Sequence, residues 1–275
     1  MKEQKKEMSF LDHVEELRWH LVRSSIAIVF GAIICGVFVK DIVDDFLLGM
    51  VNPEFITYRG LNYFTENLGL GTPFSFSADQ FHVQNFAVFG QFNIFLWVAL
   101  VAGVILAFPY IVFEIWRFVK PALSEKEKKY ASSFIGVTSF LFLLGVFFGY
   151  FVISPLALHF GYTFTISEKT ENIFRLGEVI STITTSTLSM GVVFLTPVLI
   201  YFFTKIGLVT PSFLKENRRF AVIIILILAA FITPSDIFSM LVAAIPLWGL
   251  FEVSILVSIM VYKKNESEEL PSKKS

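Results

Sequence analysis

The sequence predicts an all-α polytopic membrane protein: six transmembrane helices in a concave, tilted bundle with both termini cytoplasmic. Three observations carry that reading. Of 275 residues, 55% are hydrophobic and 16% charged, with 33 phenylalanines, whereas a soluble domain carries about a quarter charged residues and cannot leave so much apolar surface in water. Six apolar runs are long enough, or nearly so, to cover about 30 Å of hydrocarbon. Finally, Lys and Arg fall almost wholly on one side of those runs.

The expected spans are Leu21 to Val39, Phe86 to Phe118, Ala131 to Pro155, Val179 to Phe203, Phe220 to Ile232 and Met240 to Tyr262. The first is a retained span, because the acidic stretch Asp41 to Phe46 follows it without a small-residue cleavage pattern. The second is too long for an upright crossing and is expected to tilt, bend at Pro109 or project. The fifth is too short for an unperturbed bilayer, which implies local thinning or shielding by neighbouring helices. Eighteen of the 22 basic residues lie in the N-terminal arm, the loops after the second and fourth spans, and the tail; only Lys40, Arg59, Lys169 and Arg175 lie opposite. The domain plan is therefore one membrane domain, residues 1–262, with an amphipathic helix at about 9–20. A cap of short helical pieces follows at about 40–85 on the opposite side, and 263–275 form a charged, disordered tail.

The arm SFLDHVEELRWHLVR begins with a capping signature, Ser9 followed by Asp12, and repeats Phe10, Val14, Leu17 and Leu21 on one face. Glu15 and Arg18 fall on the polar face at i and i+3, where they pair weakly or stand solvated. Glu114 and Arg117, one turn apart at the end of the second span, neutralise each other. Phe113, Trp116 and Phe118 form an interfacial belt, Pro121 ends the helix, and Glu127 stands in a Lys-rich loop. The hydroxyl run Ser181 to Gly191 suits close helix packing. Glu252, mid-way along the last span, reads as a buried acid that needs a partner or water.

Nothing supports catalysis. His13, His20, His82 and His159 show no metal-ligand spacing, the single Cys35 excludes an intramolecular disulfide, and neither a nucleophile elbow nor a phosphate loop occurs. A net charge of -1 gives no basic face for nucleic acid. No cofactor is expected. A small-solute transporter using Glu252 and the hydroxyl run is the rival reading, though no internal repeat supports it.

Four stretches, HVEELR at His13 to Arg18, FPYIVFEIWRFVKPAL at Phe108 to Leu123 with EKK from Glu127, TPSDIFS at Thr233 to Ser239, and AIPLWGLFE at Ala244 to Glu252, give the chain its resemblance. In order and spacing it resembles the TatC family, the polytopic core of the Sec-independent twin-arginine translocase. The resemblance implies a non-enzymatic receptor in the bacterial cytoplasmic membrane that binds the Arg-Arg signals of folded cargo. It also implies assembly with single-span TatA/TatB-type subunits into an oligomer driven by the proton-motive force. The family's signal-binding positions are carried over onto Glu15, Phe118 and Glu127, and Arg18 and Asp236 fall on further motif positions. Where many members carry Glu or Gln before the fourth-span proline, this chain has Leu195, leaving Thr196 or the hydroxyl run to make any polar contact with a partner.

Overall fold

The computed structural model describes residues 10–76, 83–120, 131–167, 169, 172–233 and 237–269. They are helical apart from short connections and a two-residue parallel pairing of β1 (Val83–Gln84) with β2 (Phe174–Arg175). The amphipathic arm and the first span are one helix, α1 (Phe10–Val37). A single turn at Val39–Asp41, a π-turn and a 3-10 turn lead to the cap helix α2 (Ile56–Asn67). Then come α3 (Gly90–Val119), α4 (Ala131–Phe148), a π-turn at Gly149–Ile153, α5 (Ser154–Thr163), α6 (Leu176–Val193), α7 (Thr196–Lys205), α8 (Pro211–Glu216), α9 (Arg218–Ile232) and α10 (Ile237–Glu269).

Five stretches are long and apolar enough to cross a bilayer: Val14–Val37, Gly90–Val119, Phe134–Thr163, Leu176–Lys205 and Ile237–Lys263. The remaining expected span, α9, has 15 residues, about 22 Å of helix against about 30 Å of hydrocarbon. The spans turn large side chains outward, Phe30, Phe140 and Phe231 among them, which suits lipid rather than water as the surrounding solvent. The chain is thus a polytopic all-helical membrane protein. Pro109 lies inside the continuous helix α3. The last helix runs on through Lys263–Glu269, beyond the end the apolar pattern predicts at Tyr262.

The chain divides into two compact units, Met1–Lys40 with Phe95–Phe140, and Asp41–Ile94 with Leu141–Ser275. In the first, α1 and α3 touch backbone to backbone. A Cβ on Gly103 would stand 2.5 Å from the Ala32 nitrogen, and one on Gly31 2.8 Å from the Gly103 oxygen. Lipid offers no hydrophobic drive for helix association, so such close approach supplies the dispersion contact instead. We expect Gly103→Leu to force these helices apart, at a cost of about 1 to 3 kcal/mol. Thermal unfolding of the purified protein in detergent reads this as a fall of several degrees. Gly136→Leu, where an added Cβ meets nothing within 4 Å, is the matched control and should leave the midpoint in place.

In the second unit, proline placement explains the breaks. Pro155 has no N–H for the carbonyl of Phe151, four residues back, and the Thr57 hydroxyl from the cap donates to that oxygen instead. The Tyr58 hydroxyl donates to the Pro155 carbonyl at 2.9 Å, and burial pushes this phenol well above its ordinary pKa, so it stays a donor. The cap helix is thereby fastened to the π-turn that precedes Pro155. Pro197 likewise splits the fourth apolar segment into α6 and α7, and Thr196 Oγ1 donates to the freed Val193 carbonyl at 2.6 Å.

The hydroxyl run packs closely, as its composition predicts. A Cβ on Gly149 would meet Thr187 Cα at 2.7 Å, and one on Gly145 the Met190 oxygen at 2.5 Å. Ser186 donates to the Ile232 carbonyl at 3.3 Å, and Thr204 and Ser258 share a buried hydrogen bond at 2.8 Å. Around them Ile153, Met190, Phe194, Ile225, Ala229 and Leu247 form the core.

Candidate signal-binding surface

The end of the first unit where α1 begins and α3 finishes collects most of the sequence-predicted site. Glu15 and Arg18 are paired at 3.5 Å, both about two-thirds exposed, and the Arg18 guanidinium lies 5.6 Å from the Trp19 ring. Such an exposed pair contributes about 0.2 to 1 kcal/mol. Glu16, one residue on, is part-buried, and its Oε2 is shielded from solvent without a hydrogen-bond partner among the described residues. It shares a helix face with His20 four residues later.

The larger finding is a buried carboxylate. Glu114 is fully buried and sits on α3 facing α1. It takes a hydrogen bond from His20 Nδ1 at 2.5 Å, from the Tyr110 hydroxyl at 2.9 Å and from Arg117 Nη1 at 3.3 Å, with Arg23 Nη1 at 3.8 Å. The expected Glu114–Arg117 pair is present, as one part of a five-residue cluster. His20, unremarkable in sequence, is 7% exposed and presents its ring edge-on to Phe118, with centroids 6.0 Å apart. Phe118 therefore stands on an imidazole fixed by a buried acid. Trp116 stacks on Phe134 at 4.7 Å, so one member of the expected belt is core. The signal that could have found His20 was its place at the membrane edge on the α1 face that also carries Glu16 and Arg23.

Glu127 and Asp236 lie outside the described residues, as do Ser9 and Pro121. Leu195 occupies the turn between α6 and α7, and its neighbour Thr196 spends its hydroxyl on its own backbone. Glu252 is corrected in one respect: its side chain is about one-third exposed rather than buried. The partner it needs is Arg218, whose Nη2 stands 2.8 Å away. The ion pair ties the start of α9 to α10. Among the described residues no group of His, Cys, Asp and Glu is arranged to hold a metal ion.

Comparison with known proteins agrees with this frame. Residues 12–246 match the family described as Sec-independent protein translocase protein (TatC). The Sec-independent protein translocase protein TatC of Blattabacterium sp. subsp. Periplaneta americana (strain BPLAN) is 47% identical over 96% of this chain and 100% of its own length. TatCy of Bacillus subtilis (strain 168) is 31% identical, over 94% and 91%. A crystal structure of the twin arginine translocase receptor TatC in DDM superposes with a TM-score of 0.72 at 27% identity, covering 90% of this chain and 99% of that one. With the match running from the α1 arm into α10, the chain belongs to the TatC family of Sec-independent protein translocase proteins.

Proposed function

We propose that the chain is the receptor subunit that binds Arg-Arg signals of folded cargo at the α1/α3 end of its first unit. The observation that carries this reading is the Glu114–His20–Phe118 stack beside the acidic pair Glu15–Glu16. A guanidinium has five donors in a plane and needs acceptors in pairs together with a ring to stack on. Glu16 Oε2 is an acceptor without a donor among the described residues, a condition that folded proteins rarely leave unrelieved. Glu15 already holds Arg18, so Glu16 takes the larger share on the arm. The resemblance adds Glu127, which follows Val119 by eight positions in the sequence.

Binding here is recognition without chemistry. Carboxylates and ring hold the two arginines, and movement of cargo falls to single-span TatA/TatB-type subunits in an oligomer driven by the proton-motive force. The reading includes six crossings, with α9 the short one, and both termini in the cytoplasm of a bacterial cell. The rival solute transporter relies on Glu252 as a free intramembrane acid, and that carboxylate is engaged by Arg218.

Affinity purification from native membranes separates the two. The receptor reading expects single-span subunits in stoichiometric amounts and cargo with Arg-Arg signals. Proton-coupled uptake of a small solute by vesicles holding this protein alone would contradict it. For topology, cysteines at Thr170 and Ser267 in a Cys35→Ser background are the probe. Thr170→Cys should react with an impermeant thiol reagent added outside intact cells and Ser267→Cys should not; the opposite pattern would overturn the orientation.

A further inference from the structure

The cap end of the second unit carries two grooves separated by α2. One, of about 460 Å³, is walled by Leu61, Phe151, Leu156, Phe238 and Val242. Its wall is apolar, and the one hydroxyl on it, that of Thr57, is taken by the Phe151 carbonyl. The other, about 780 Å³, lies across α2 and includes Glu54, Arg59, Asn62 and Tyr63. Ile56 and Gly60 line both.

Gly60 is the informative residue. It sits inside a helix, where glycine is the poorest choice after proline, yet a Cβ there would meet nothing within 4 Å. No packing constraint requires it. Its missing side chain leaves the surface of α2 low between the two grooves, which share Ile56 and Gly60 as lining. On the polar side, Arg59 Nε stands 4.0 Å from Glu54 Oε2, with both side chains 71% or more exposed.

We propose that this pair of grooves holds one zwitterionic phospholipid of the cap-side leaflet. An acyl chain lies in the apolar groove and the glycerol crosses at Gly60. The phosphate meets Arg59 while the ammonium meets Glu54. Opposite charges set side by side complement a headgroup whose own opposite charges are side by side. An anionic headgroup would gain from Arg59 but face Glu54 and Glu66, which also lines the polar groove.

Native mass spectrometry of the full chain in detergent tests this directly, by titration with phosphatidylethanolamine or with phosphatidylglycerol of the same acyl chains. Wild type should retain one phosphatidylethanolamine and bind phosphatidylglycerol at least fivefold more weakly. Gly60→Leu, a better helix former whose Cβ meets nothing within 4 Å, should reduce phosphatidylethanolamine retention about tenfold with an unchanged melting temperature. Val242→Phe, filling the groove from α10, should reduce retention likewise, and Glu54→Gln should remove the preference between headgroups. Equal retention by wild type and both groove variants would overturn the site, and equal binding of the two lipids to wild type would overturn the headgroup assignment. A photo-crosslinker placed at Leu61 in native membranes should add a lipid-sized mass; a protein-sized adduct would give the groove to a partner helix instead. None of these readouts involves the signal peptide, so failure of signal binding leaves this proposal standing, and the reverse holds too.

Discussion

Glu114→Ala should be among the most damaging single substitutions in the first unit, lowering stability by about 3 kcal/mol. The carboxylate is the shared acceptor for His20, Tyr110 and Arg117. Arg23 and Arg117 are about half exposed and can turn to water when it goes, but His20 cannot. The loss is therefore concentrated in a buried imidazole without an acceptor. Glu114→Gln keeps an acceptor oxygen and should cost about 1 kcal/mol. The double change His20→Leu with Glu114→Leu removes both polar partners together and should unfold close to wild type, because the penalty attaches to the orphaned group rather than to the missing bond. Thermal unfolding in detergent ranks the three. If the stack also positions Phe118, the double variant should bind an Arg-Arg peptide several-fold more weakly despite its recovered stability. A variant that is stable and binds like wild type would reduce the cluster to a structural one.

Charge reversal in the signal site should have the largest effect on binding. Glu16→Lys and Glu127→Lys each replace a paired, charge-assisted contact, worth about 1.5 to 3 kcal/mol, by repulsion between like charges. Binding of a signal peptide should weaken about a hundredfold or more in either. Glu15→Lys should cost about tenfold or less, since that carboxylate is exposed and already faces Arg18. Isothermal titration of the three purified variants gives the order directly. Equal losses at Glu15 and Glu16 would mean that the arm acts through its overall charge rather than through one oriented acceptor.

The fold was legible because the bilayer restricts the choices: a backbone in hydrocarbon must satisfy its own hydrogen bonds, so apolar length alone marks helices. The shortness of α9 and the close packing of the hydroxyl run follow from composition at single positions, Arg218 and Thr233 bounding the one, Ser186 and Thr187 the other. What the sequence did not show depends on pairs far apart in the chain. His20 meets Glu114 across 94 positions and Arg218 meets Glu252 across 34, and no local periodicity encodes either. The same holds for Thr57 and Tyr58, whose hydroxyls serve the carbonyls exposed around Pro155. Proline announces that a carbonyl is freed, but not which residue will answer it. Within the arm, the i, i+3 spacing found the Glu15–Arg18 pair, and the family resemblance drew the emphasis to Glu15. Only the rotation of α1 against α3, fixed by Gly31 and Gly103 at one end and His20 at the other, separates Glu15 from Glu16.

Whether oriented carboxylates read planar guanidinium groups is decided by comparing the affinity of the purified protein for a signal peptide carrying Arg-Arg and for the same peptide carrying Lys-Lys. Lysine keeps the charge and loses the planar two-bond fit. The account predicts at least a tenfold preference for Arg-Arg that persists at raised salt and disappears in Glu16→Lys and Glu127→Lys. Equal affinity for the two peptides, falling together as salt is added and unchanged by either reversal, would contradict it.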